Sequence, residues 1–585
     1  MTEPDAPPPT SSRTGRTGVA ERVLIAAVVL GVVVAGWLAR WTADDAFINY
    51  RVVENLLAGN GPVFTAPVRT EVATSPAWLL LLTGAEALLP GNSVAWASVV
   101  LGIAGTATGV LFAMLGARRL FGTAGRPVVP FGAVVLLALP PFADFTTSGL
   151  ETGMSFAWLG VSFWGLAREL RREPARAGRP VWLYVLIGLG PLVRPDFALI
   201  AGLLLLWLTV VAPGAWWRRL LGLVAAGALP LAYQLFRMGY YGLLIPNTAV
   251  AKESGRPLWG RGTDYLLDLV VPYALYVPAV LAVAVVALLR PPLPRREWSL
   301  VAVVVAAVVV HTLYVVRVGG DFMHARLLLP SLFLVLCPVA AVPLPRMPGA
   351  RNSLAAVALV ATATWALVAA TSFRTDYEIR DTASGLADER AHYVQRAGVP
   401  HPVTLEDHGR AGVLAYSARV EELHERGADV IVGQVAEARP GTRVEVIAPS
   451  DGGVVFAVGN AGFYGVAAGL DLVVIDVLGL ADPVNSHLEA GPPLRAGHEK
   501  RYADWYLLAR YGADDLAVQR QEGQPAPERV AAARAALSCG EVAELISATS
   551  DPLTWNRFWN NVRGSAHRTS LRIPLDPFEA ERTFC

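Results

Sequence analysis

Charge is what this chain has least of. Only 17% of its 585 residues are Asp, Glu, Lys or Arg, against 54% hydrophobic, and mean hydropathy is +0.44. One soluble core cannot absorb that much apolar surface, which excludes an ordinary soluble domain and calls for a polytopic, lipid-facing helical bundle. Neither sign of charge prevails. With 49 basic and 48 acidic residues the net charge is +1, so no global field draws a nucleic acid, and no such partner is expected. Cysteine is scarce, at three residues. No CxxC pair or HExxH spacing is present, and no metal ligand set can be assigned; no Walker loop or GxSxG elbow supports ATP-driven transport or serine hydrolysis.

What the chain has instead is long apolar runs. A spanning helix needs about 20 apolar residues, fewer when flanked by protein, and eleven runs are candidates, at roughly 22–39, 93–116, 127–141, 154–168, 181–193, 196–212, 216–236, 268–289, 299–316, 326–343 and 352–372. A twelfth, 75–90, is short and bounded by Pro76 and Pro90. If it lies in the interface, the basic clusters at 117–126, 168–179, 216–219, 290–297 and 345–351 all share the side of the N-terminal tail, as cytoplasmic loops should. The expected organisation is a disordered cytoplasmic tail (1–21), a transmembrane domain (22–372) with an outer loop at 40–92, and a soluble extracytoplasmic domain (373–585) on a multi-pass plasma-membrane protein. The apolar run behind the tail has no small-residue cleavage pattern, so the first helix is expected to stay attached.

On this topology the outer loops carry the chemistry. "RWTADDAFINYR" sets Asp44 and Asp45 at a membrane boundary, either as a solvated helix cap or as a catalytic carboxylate with its neighbour orienting it or a bound divalent cation. In "GGDFMHAR", Asp321, His324 and Arg326 follow a glycine pair; the cations suit a phosphate, and an Asp321–Arg326 salt bridge is the structural alternative. Arg194 in "VRPDF" suits a lipid phosphate or a mere headgroup contact. "FRMGYYGLLIPNTAVAKES" adds Arg237, Tyr240, Asn247 and Lys252 as candidates for phosphate or sugar hydroxyls. Glu151 begins a helix, where a carboxylate also suits the dipole. Together these place acids and cations on one face of a bundle, as a lipid-linked phosphosugar requires.

After residue 373 the period changes. "ADVIVGQ", "RVEVIAP", "VVFAVGN" and "LDLVVIDVLGL" read as short buried strands and "PERVAAARAALSCGEVAELIS" as a helix, giving an α/β domain. Trp505, Tyr506, Trp555 and Trp559 lie among polar residues, suiting core packing or stacking on an acceptor glycan. Cys539 and Cys585 can bridge if this third faces an oxidising compartment.

The stretches "WTADDAFINYRVVENLLAGNGPVF", "DFTTSGLET", "LVRPDFALI", "FRMGYYGLLIPNTAVAK", "GGDFMHARLLLP" and "VIDVLGLADP" together resemble the mycobacterial family of terminal β-(1→2)-arabinofuranosyltransferases, from about residue 36 to the C-terminus. The acidic motif after the first helix alone resembles the wider C superfamily of glycosyltransferases (GT-C). The resemblance implies a GT-C fold and a multi-pass enzyme that takes arabinofuranose from decaprenylphosphoryl-arabinose and caps the arabinan of arabinogalactan and lipoarabinomannan. It also implies that Asp44 or Asp45 is catalytic. A β-configured donor giving a β-linked product implies retention, which a single displacement does not deliver. Another polyprenyl-phosphate sugar, such as mannose, would use the same loops. A flippase for a lipid-linked glycan would place polar residues at mid-membrane and show an internal repeat, and the sequence has neither.

Overall fold

The computed structural model describes residues 11–89, 93–121, 127–170, 181–211, 215–289, 294–346, 349–374, 385–409, 412–433, 444–491, 495–513 and 526–585. Among the described residues, five helices are long and apolar enough to cross a membrane: Val19–Leu38, Val94–Phe121, Trp216–Tyr240, Arg295–Arg317 and Ala350–Ser372. Thr152–Leu170 and the shorter apolar helices Phe197–Val211, Tyr276–Leu289 and Leu329–Val339 fill the bundle between them. The tightest helix pair is Val94–Phe121 against Thr152–Leu170. Gly105, Gly109, Gly153 and Gly160 face the opposing backbone so closely that a methyl on any of them would overlap a carbonyl. Small residues at such a seam let two helices gain packing where lipid offers no hydrophobic drive.

Three expected spans take a different form. The run 127–141 is not one helix: strand Val128–Val129, helix Phe131–Leu137 and helix Pro140–Thr146 follow one another. Pro130 and Pro140 lack the amide donors that a continuous helix needs, and the strand pairs instead with Val342–Pro343. The run 268–289 is cut after the helix Trp259–Val270 and resumes at Tyr276, because Pro272 and Ala274, at φ +48°, break the ladder. The run 326–343 becomes helical only at Leu329, which leaves Arg326 in a loop. The stretch 75–90 forms the helix Pro76–Leu88, 13 residues long. At 1.5 Å per residue that is about 20 Å, too short for a bilayer core of about 30 Å.

The C-terminal domain holds a four-stranded sheet in the order Glu445–Pro449, Val430–Gly433, Val454–Val458, Val473–Asp476. The first pair is antiparallel and the other two are parallel, so all four anticipated strands form. The anticipated 527–547 helix is two, Pro527–Leu537 and Gly540–Ser550, broken where Gly540 takes φ +50°. Cys539 and Cys585 are joined by a disulfide.

Between bundle and sheet lies the helix Asp44–Leu57, which packs on the helix Ala461–Ala467 of the sheet domain. Arg51 locks the two together. Its guanidinium is fully buried and donates to the carbonyls of Phe64 at 2.7 Å, Gly469 at 2.5 Å and Leu472 at 3.2 Å, and to that of Gly465. A buried cation is tolerated when its donors are satisfied in this way.

Candidate functional site

Five loop ends of the bundle converge beneath the sheet domain. They are the start of Asp44–Leu57, Glu151 before the helix Thr152–Leu170, the turn Arg194 to Asp196, Lys252 after the short helix Asn247–Ala251, and the loop carrying Asp321 and Arg326. They enclose a cavity of about 310 Å³. Its polar side is formed by Asp45, Glu151, Arg194, Lys252, Asp321 and Arg326, and its apolar walls by Ile245, Pro246, Tyr314, Val315, Val318 and Leu327. A cavity lined by both ionic and apolar side chains suits an amphiphile with a charged head.

The acidic pair divides its labour because adjacent helical residues point about 100° apart. Asp44 is buried at 7% exposure and turns toward the sheet domain, where it accepts from the backbone N–H of Phe463 at 2.8 Å and of Gly462 at 3.4 Å. A side chain at position 462 would collide with the Asp44 carbonyl, so the glycine is what lets the two chains close. Burial pushes the Asp44 carboxyl up to about 7, with the two backbone donors opposing the shift and the Asp45 charge adding to it. Asp45 turns the other way, into the cavity, with Oδ2 at 3.5 Å from Nη1 of Arg326.

Arg326 stands at the centre of three carboxylates: besides Asp45 it meets Asp321 at 3.4 Å and Glu151 at 3.9 Å. Glu151 also accepts from Arg194 at 2.8 Å, Arg194 donates to Asp196 at 3.0 Å, and Asp196 meets His311 Nε2 at 2.8 Å. His311 in turn pairs with Ser331 Oγ at 2.7 Å. This chain of contacts fixes both guanidinium groups at the cavity wall.

Lys252 differs from these arginines. It lines the cavity, and among the described residues its ammonium makes no hydrogen bond or ion pair, so its charge is available to an incoming anion. The next residue, Glu253, takes φ +47° and is held by Lys500 at 2.6 Å and Arg572 at 3.1 Å, both from the sheet domain. That anchorage sets where Lys252 points.

Of the candidates named from sequence, Asp45, Glu151, Arg194, Lys252, Asp321 and Arg326 share the cavity, and Asp44 stands behind it. The others are committed elsewhere. His324 meets Asp268 at 2.5 Å and the Tyr273 hydroxyl at 3.0 Å, beside a separate small cavity. Arg237 is paired with Glu71 at 2.5 Å, and Tyr233 donates to the same carboxylate at 2.7 Å. Tyr240 stacks on Phe236 with centroids 5.0 Å apart. Asn247 donates to the carbonyls of Gly479 at 3.0 Å and Leu480 at 2.8 Å, tying its loop to the sheet domain. Trp505 and Tyr506 donate to the carbonyls of Leu575 at 3.0 Å and Pro574 at 2.7 Å, and Trp559 packs with Trp555 and Phe558. None of these lines the large cavity. Among the described residues no group of three or more His, Cys, Asp or Glu is arranged to hold a metal ion.

Asp196 and His311 are not among the candidates that the sequence singles out, although Asp196 stands in "VRPDF". Neither are Glu389, Arg495 and His498, which lie far from the acidic motif along the chain. Only the folded sheet domain brings them beside Asp45.

Residues 450–581 match the AftB family C-terminal domain. The chain is 35% identical to the terminal β-(1→2)-arabinofuranosyltransferase of Mycobacterium tuberculosis, over 92% of this chain and 93% of that protein. It is 31% identical to the protein of the same name from Corynebacterium glutamicum, over 92% of this chain and 84% of the relative. Among solved structures, ArnT from Cupriavidus metallidurans bound to undecaprenyl phosphate aligns with a TM-score of 0.44 at 16% identity, covering 78% of this chain and 89% of that one.

Proposed function

This chain belongs to the family of terminal β-(1→2)-arabinofuranosyltransferases, and from that membership we propose that it is a membrane glycosyltransferase taking arabinofuranose from a polyprenyl-phosphate carrier. The carrier we assign is decaprenylphosphoryl-arabinose. The acceptor is the non-reducing end of cell-wall arabinan, in arabinogalactan and lipoarabinomannan, and the product is a terminal β-(1→2) linkage. The observation that carries this reading is the cavity that Asp45, Lys252 and Arg326 line together with the apolar side chains of Val315, Val318 and Leu327.

In this reading the isoprenoid lies along the apolar wall and its phosphate meets Lys252 and Arg326. As the bond from the anomeric carbon to the phosphate oxygen breaks, negative charge gathers on the phosphate and positive charge on the sugar. The cations stabilise the first and Asp45 the second. Asp45 also takes the proton of the acceptor hydroxyl at position 2. The loops face the outside of the plasma membrane, with the N-terminal tail in the cytoplasm, so that the polymer can reach them.

The test is transfer by the purified full chain in lipid nanodiscs, with synthetic polyprenyl-phosphate arabinofuranose and an arabinofuranosyl oligosaccharide. The expected product carries a new β-(1→2)-linked terminal residue by NMR, and the corresponding mannosyl donor gives none. Transfer of mannose in place of arabinose would overturn the donor assignment.

A further inference from the structure

A second, smaller cavity of about 40 Å³ lies on the other side of Asp45, toward the sheet domain. The two cavities share Asp45, Ile48, Lys252, Leu480 and Gly497, so Asp45 and Lys252 stand at the junction between them. One water needs about 10–15 Å³ of such space, so this cavity admits roughly three water-sized groups.

Its remaining polar wall is made by side chains that no part of the large cavity uses. Glu389, at 6% exposure, opens the helix Glu389–Ala397 and lines this space. Among the described residues its carboxyl has no hydrogen bond or ion pair, although Asp45, Asp44 and Arg495 all act on it through space. A buried carboxyl without a partner costs stability unless something fills the place. Arg495 lies over the Phe322 ring at 4.4 Å and reaches His498 Nε2 at 3.0 Å; no carboxylate pairs with it among the described residues. Burial pushes the Glu389 carboxyl up to about 8 and the His498 imidazole down to about 3, so near neutral pH the acid is mostly protonated and the ring is neutral.

The lining thus offers an acid that can both donate and accept, a neutral imidazole and a guanidinium. Asp45 and the partly ionised Asp44 and Asp476 oppose a phosphate, while Arg495 and Lys252 oppose a free cation. Several hydroxyls on a compact neutral ring satisfy such a surface. We propose that this cavity holds the hydroxyl edge of a pentofuranosyl residue beside the bond that reacts, with Glu389 and Arg495 as its hydrogen-bonding partners. The inference rests on the transferase reading above. Two sources share this chemistry, the sugar of the donor and the terminal residue of the acceptor.

Glu389→Gln, which keeps the size and neutral hydrogen bonding of a protonated acid, is expected to raise KM less than Glu389→Ala does. Glu389→Ala and the more exposed Arg495→Ala should each raise a KM about tenfold, the worth of one lost hydrogen bond, with kcat and Tm little changed. Initial rates are measured against the arabinofuranosyl oligosaccharide at saturating donor, and against polyprenyl-phosphate arabinofuranose at saturating acceptor. A rise confined to the oligosaccharide arm assigns the cavity to the acceptor; a rise confined to the donor arm assigns it to the donor sugar. Unchanged KM in both arms, for both variants, overturns the proposal. Saturation-transfer NMR with a methyl arabinofuranoside disaccharide supplies a readout that needs no turnover. Wild type should show contact that Glu389→Ala weakens, even if the assay on wild type were to contradict the donor or linkage assigned above, and equal signals from both would overturn it.

Discussion

Oδ2 of Asp45 lies 3.5 Å from Nη1 of Arg326, which puts the carboxylate read as catalytic and a cation read as phosphate-gripping in direct electrostatic contact before any substrate is bound. Arg326 is shared with Asp321 and Glu151, so an arriving phosphate must compete with three carboxylates for it. Lys252 has no such competitor among the described residues.

Lys252 is therefore the cleaner probe of donor binding. Lys252→Met should raise the donor KM about 10- to 100-fold, since a charge-assisted hydrogen bond is worth about 1.5–3 kcal/mol, and should leave Tm within a degree or two. Arg326→Gln should do the same to KM and also lower Tm, because it strands buried carboxylates. Steady-state kinetics with parallel melting curves check both; an unaltered donor KM in Lys252→Met would remove it from the phosphate site.

Much of this site was legible because the relevant residues fall in short polar islands between apolar runs. Asp45, Arg194 and Arg326 each stand close to the end of such a run and Lys252 in the polar loop between two, and lipid-facing helices leave few other places for charge. What could not be read was the division of partners. Arg237 and Tyr240 share a motif with Lys252, but Glu71 from the outer loop takes Arg237, a pairing 166 residues apart along the chain. The broken span at 127–141 was signalled by Pro130 and Pro140, and its apolar composition outweighed them. The helix Asp44–Leu57 has its apolar face split between the bundle and the sheet domain, so a single-face pattern does not reveal it.

Arg237→Gln should accordingly act on stability and not on donor use. Its guanidinium and the Tyr233 hydroxyl both serve the buried Glu71 carboxylate. Breaking one side of a buried pair costs about 3–5 kcal/mol. Thermal unfolding should show a lowered Tm with donor KM unchanged in the folded fraction; a selective rise in donor KM would place Arg237 at the substrate instead.

The buried Asp44 carboxyl has a pH signature. Its pKa is raised from 3.8 to about 7 by burial, so the folded state holds this proton more tightly than the unfolded one. Its contribution to stability is full below pH 4 and is lost as pH rises through about 7. Asp44→Asn cannot titrate, so wild type should gain stability relative to the variant as pH falls from 8 to 5. Glu389 and Asp476 titrate in both proteins and drop out of the difference to first order. Melting curves at several pH values check this, and a difference independent of pH would contradict the assignment of a buried, protonating Asp44.

The Cys539–Cys585 disulfide closes a loop of 46 residues and ties the C-terminus to the helix Gly540–Ser550. Cys539→Ser should cost about 2–4 kcal/mol, seen as a lower unfolding temperature of the sheet domain and faster proteolysis of the last helix. An unchanged melt in non-reducing buffer would show the bridge to be dispensable.

The central claim is that Asp45, at the junction of the two cavities, carries the chemistry. The most direct measurement is turnover of Asp45→Asn in the nanodisc assay, with donor KM and Tm recorded on the same preparation. The amide keeps the volume but can neither hold negative charge nor take a proton. The account predicts a fall in kcat of at least about 10²-fold, the lower end of what a general base contributes. Tm should stay near wild type, and donor KM should stay the same or fall, since Arg326 is then freed for the phosphate. Near-normal kcat in folded Asp45→Asn would contradict the account.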